Sequence, residues 1–81
     1  PNPVKNNYNG LITISGLSDD TNVKITDVSG NLIFETFTEG GSATWDGKSF
    51  SGKRVQTGVY LFFCTSPLFN ESIVKKVLIY N

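Results

Sequence analysis

The chain contains no histidine and no methionine, and its 81 residues include a single cysteine. Each shortage removes a class of function. Without histidine there is no imidazole to act as general base near neutral pH or to ligate a transition metal through nitrogen. One thiol forms no internal disulfide. Cys64 also sits in the apolar run Tyr60-Leu61-Phe62-Phe63-Cys64, where burial raises a thiol pKa and leaves it inert. Charge of one sign is lacking too: seven Lys and Arg balance seven Asp and Glu, so no net field draws nucleic acid, an anionic membrane or an acidic ligand. No apolar run approaches the roughly 20 residues a membrane-spanning helix needs, and no basic-then-apolar opening has the form of a signal peptide. The expectation is one soluble domain with no membrane insertion, no nucleic-acid partner and no cofactor. The missing Met and the opening Pro1-Asn2-Pro3 further suggest a fragment of a longer protein, or its processed end.

What the chain does contain is strand and turn chemistry. Residues 1–9 are rich in Pro and Asn and read as an extended linker entering a domain over residues 10–81. Leu11 to Ser15 and Val23 to Thr26 alternate apolar and polar residues, the period of half-buried strands with Ile12, Ile14, Val23 and Ile25 inward. Leu32 to Thr38, Ser42 to Trp45, Gly58 to Ser66 and Ile73 to Tyr80 complete the expected strands. Gly30 is placed at the left-handed position of a hairpin connection. In Trp45-Asp46-Gly47, a large ring asks for burial, a short carboxylate can accept backbone N–H bonds two residues on, and a Gly is free to take positive φ. Ser51-Gly52 supplies a second reversal, and Gly58 lets the chain bend, or approach a neighbour closely, as it enters its next strand. No segment keeps a helical period. The fold class is therefore all-β, a small antiparallel immunoglobulin-like sandwich of six or seven short strands.

Strand Gly58 to Ser66 is apolar on both faces, with Val59, Leu61 and Phe63 on one and Tyr60, Phe62 and Cys64 on the other. One set belongs to the core. The second, taken as Tyr60, Phe62 and Cys64, is covered either by loops and neighbouring strands or by another domain of a parent protein.

Other clusters have a plain structural reading beside a functional one. Glu39 and Asp46 could form an acid and base pair, but read better as a strand end and a turn cap, since nothing else of a catalytic site accompanies them. Asp19, Asp20 and Asn22 carry hard oxygen ligands, yet their spacing fits no calcium loop and suits turn capping. Lys48, Lys53 and Arg54 share a loop with Phe50, a combination that can meet phosphate or an anionic sugar, and reads first as solvated charge. Phe50 or Tyr8 beside a groove would be required of a carbohydrate-binding module. Lys75-Lys76 are expected on opposite faces of the last strand, discouraging edge pairing. Asn70-Glu71-Ser72 fits the Asn-glycosylation pattern.

Several stretches occur together and in order: Pro1-Asn2-Pro3-Val4, Val23 to Ile33, Trp45-Asp46-Gly47-Lys48 with Gly52, Gly58-Val59-Tyr60, and Lys75 to Ile79. This set resembles the C-terminal sorting domains of the type IX (porin) secretion system of Bacteroidetes and the related flagellar hook-cap immunoglobulin-like domains. Within that family it is most similar to the C-terminal module of propeller-bearing surface proteins. The resemblance implies a non-catalytic module of an exported, larger protein, at the outer-membrane surface or periplasmic side of a Gram-negative cell. Its implied partners are the secretion translocon or the upstream domain of the parent, with anionic lipopolysaccharide as a further candidate. Gly58 and Tyr60 match the family's Gly-x-Tyr motif, and Lys75 and Lys76 its C-terminal signal. The chain departs from many members in closing on Ile79-Tyr80-Asn81 instead of a basic residue.

Overall fold

The computed structural model describes residues 4–5, 11–66 and 71–80. These form β1 (Val4–Lys5), β2 (Ile12–Ile14), β3 (Asn22–Thr26), β4 (Leu32–Phe37), β5 (Ala43–Trp45), β6 (Gly58–Ser66) and β7 (Glu71–Tyr80), with no helix among them. The strands lie in two sheets, one five-stranded in the order β1-β7-β6-β3-β4 and one of β2 and β5. All pairs are antiparallel except β1 with β7, where Val4 meets Ile79 and Lys5 meets Tyr80. Val4 and Lys5 were expected in a linker and instead extend the sheet, because β-branched Val4 finds an unpaired stretch of β7 backbone to join. The last strand is therefore not a simple edge.

One core joins the sheets. Ile12 and Ile14 of β2 and Ala43 and Trp45 of β5 pack against Val23 and Ile25 of β3, Tyr60, Phe62 and Cys64 of β6, and Ile79 of β7. The Trp45 ring meets Phe62 edge-on at 5.6 Å between centroids and Tyr60 at 6.0 Å, geometries that the ring quadrupoles favour. Trp45 and Phe62 are 1% and 0% exposed. Of the two covers open for Tyr60-Phe62-Cys64, the structure has the internal one: the small sheet closes this face, with Trp45 packed opposite the set, so it is not an interdomain face.

Turns follow their side-chain chemistry. Asp27 caps the β3–β4 connection, its carboxylate accepting from the N–H groups of Ser29 and Asn31 and from Asn31 Nδ2, each at 2.9 Å, while Gly30 takes φ 89°. These bonds, the Asn31 side chain first, hold the Asp27 carboxyl below its ordinary pKa. Asp46 accepts from Lys48 N at 3.0 Å, as its position predicts. Asp19 caps differently from expectation, reaching across to Gly40 N at 2.9 Å. A buried threonine pair closes the same end: Thr38 Oγ1 accepts from Thr21 N at 2.9 Å and donates to Ser18 O at 2.6 Å.

Candidate functional site

The segment after β5 is a compact hairpin. Val55 N donates to Gly47 O at 3.0 Å, Ser49 N to Lys53 O at 2.9 Å, and Trp45 Nε1 to Lys48 O at 2.8 Å. Its tip is docked, because Phe50 N donates to Ile33 O at 3.1 Å and the Phe50 ring lies 5.4 Å from Phe34. This covers part of the β4 edge, a device that suppresses strand addition. Phe50 leans on Phe34 while remaining 63% exposed; Tyr8 lies outside the described residues, as does Asn70. Lys48 and Lys53 are exposed on the same hairpin.

Among the described residues, the carboxylates named as catalytic or metal candidates do not converge. Glu39 is tied through its backbone to Ser42, at 2.8 and 3.3 Å, and Asp46 to its own turn. Asp19 serves Gly40 and Asn22 Nδ2 donates to Glu35, so that trio does not converge. Among the described residues no group of three or more His, Cys, Asp or Glu side chains lies close enough to hold a metal ion. The Cys64 thiol is buried and its pKa pushed up by desolvation, partly offset by Lys75. A cavity of about 50 Å³ lies among Leu17, Thr21, Cys64, Ser66 and Ile73, room for a water or two and far below a small-molecule site.

The residues implied as a signal divide between two sides of one sheet. Tyr60 faces inward, its hydroxyl donating to Gln56 O at 2.7 Å, and burial raises its pKa. Lys75 lies opposite Phe62 on that inner side, where its ammonium reaches Ser15 O at 3.2 Å. Lys76 lies opposite Leu61 on the outer side. The two lysines therefore point to opposite faces, as alternation predicts. Gly58 takes no left-handed φ, and a Cβ there would meet only Tyr60 Cε2 at 3.9 Å. A close approach to a neighbour therefore does not require glycine there.

What remains outward is an apolar stripe along β6 and β7. Val59, Phe63, Val74 and Leu78 are 38%, 37%, 52% and 39% exposed, and the register pairs Val59 with Leu78 and Phe63 with Val74. Lys76 stands within the stripe beside half-buried Leu61, and Lys24 of β3 lies next to Phe63. The alternation of β6 revealed this set but not which set faces out. Val74 and Leu78 were missed; they are four residues apart, and the charged Lys76 at the position between them breaks the two-residue alternation.

The molecule is thus a small immunoglobulin-like β-sandwich. Residues 1–80 match the family model described as the secretion system C-terminal sorting domain, and the chain belongs to that family. A solved chain described as PorZ, an essential bacterial surface component of the type IX secretion system of Porphyromonas gingivalis, superposes with a TM-score of 0.91 at 31% identity. The match covers 100% of this chain and 11% of that one, so the chain spans a small part of its relative. No match was found among curated proteins.

Proposed function

We propose that this chain is the non-catalytic targeting module of a larger exported protein, read by the type IX translocon and retained as a docking domain on a propeller-bearing surface protein. The observation that carries the reading is the family match over residues 1–80, supported by full-length similarity to a segment of PorZ. Targeting needs a presented surface, not chemistry: Asp27 and Asp46 are spent on turns, and an apolar stripe of β6 and β7 faces outward. The destination in this reading is the outer-membrane surface.

The test is export. Residues 1–81 fused behind a reporter with a leader for the inner membrane should bring the reporter to the surface of a type IX-competent bacterium, and not in a strain lacking the translocon. Equal surface reporter in both strains would overturn the proposal. Gly58→Ala separates motif from scaffold in the same assay. Because a Cβ fits at Gly58, the purified variant should lose no more than about 1 kcal/mol of stability. If the Gly-x-Tyr motif is read directly, export falls while the melting temperature holds; a fall in both would return Gly58 to a structural role.

A further inference from the structure

We infer that the cavity at the end of β6 binds one ordered water molecule, held by the hydroxyls of Ser66 and Thr21, which ties β6 to the chain entering β3. This site does not depend on the targeting reading.

Ser66 supplies the first requirement. It closes β6 and is only 4% exposed, yet its buried Oγ finds no hydrogen-bond partner among the described residues. An unpaired hydroxyl inside a protein carries its full desolvation penalty, so native structures satisfy nearly all such groups, with a buried water where no protein group reaches. Ser66 lines the cavity of about 50 Å³ together with Leu17, Thr21, Cys64 and Ile73, well above the roughly 10–15 Å³ that admits one water.

Thr21 supplies the second. Its side chain lies within the protein, and Thr21 Oγ1 has committed its hydrogen to Ser18 O at 2.7 Å, which leaves the oxygen lone pairs for a donor. Ser18 O is already saturated, because it accepts from the Thr38 hydroxyl as well, at 2.6 Å. A ligand here must therefore donate to Thr21 and pair with Ser66, and water has two hydrogens and two lone pairs for that purpose. The Cys64 sulfur adds a weak third acceptor, within the roughly two to four partners a buried water takes. An ion fits badly. None of the lining residues carries a formal charge, and desolvation keeps the Cys64 thiol neutral, so a cation or anion would be buried without a counter-charge.

Oxygen-17 relaxation dispersion of the solvent, which responds to long-lived water and not to exchanging hydroxyl protons, tests this on the 81-residue chain. Ser66→Ala should remove about one long-lived water per molecule and lower the melting temperature by about 2–5 °C, because alanine takes away one of the partners of the water. Were the Ser66 hydroxyl unpaired, alanine would relieve its burial and the melting temperature would rise. Equal dispersion from parent and variant, or a higher melting temperature for the variant, would overturn the inference. Should Ser66→Ala fail to fold, a high-resolution crystal structure of the parent decides: a water within about 3.2 Å of Ser66 Oγ is the expected result, and a site without one overturns it.

Discussion

Replacing Trp45 with alanine should cost about 3–5 kcal/mol, the range for deleting a large buried aromatic. The ring is 1% exposed, meets both Tyr60 and Phe62, and donates Nε1–H to Lys48 O at 2.8 Å. Its loss opens a cavity between the two sheets and leaves the Lys48 carbonyl without that partner, and a sheet of two three-residue strands, β2 and β5, has little else to hold it down. A domain of 81 residues has a total stability of roughly 4–12 kcal/mol, so the variant is expected to be largely unfolded at 37 °C. Urea denaturation followed by circular dichroism checks this. Trp45→Phe, which keeps most of the ring contact, should retain a cooperative transition. A Trp45→Ala midpoint within 1 kcal/mol of the parent would mean that the small sheet is not anchored through this ring.

Thr38→Val is nearly isosteric and should nevertheless cost about 1–3 kcal/mol, because it deletes two buried hydrogen bonds without making space. Thr38 is 1% exposed. Its hydroxyl accepts from Thr21 N and donates to Ser18 O, and its own N–H donates to Thr21 O at 3.0 Å. In the variant the Thr21 N–H faces a methyl group inside the protein. Thr38→Ser keeps the oxygen and should recover most of the loss, measured by the same denaturation. If valine is as stable as threonine, the segment from Ser18 to Thr21 is held by its backbone bonds, the Thr21 hydroxyl on Ser18 O and the Asp19 cap.

How far each element could be read in advance depended on whether its cause was local. Strand β6 runs from Gly58 to Ser66 as its composition predicts, since Gly at one end and Pro67 after the other bracket a run of β-formers. Asp46 caps Lys48 because a short carboxylate reaches a backbone N–H two residues ahead whatever the rest of the chain does. Strand β7 begins at Glu71, two residues before its apolar pattern, because nine ladder positions with β6 extend the strand through polar Ser72 and Glu71. The Phe50 contact was invisible for the opposite reason: its partners, Ile33 and Phe34, are some sixteen residues away in sequence.

The candidate site divides along the same line. Turn residues and strand alternation, which act locally along the chain, were enough to indicate an all-β domain, and the sorting-domain reading came from the resemblance of the ordered stretches to that family. Which face of β6 looks outward was decided only by tertiary structure. Val59-Leu61-Phe63 and Tyr60-Phe62-Cys64 are about equally apolar, so burial alone favours neither. Packing of Trp45, Ile12 and Ile14 onto the second set, and the register that brings Lys24 and Lys76 beside the first, broke that symmetry. A strand carries two faces by its own geometry, but an inside exists only once another sheet covers one of them.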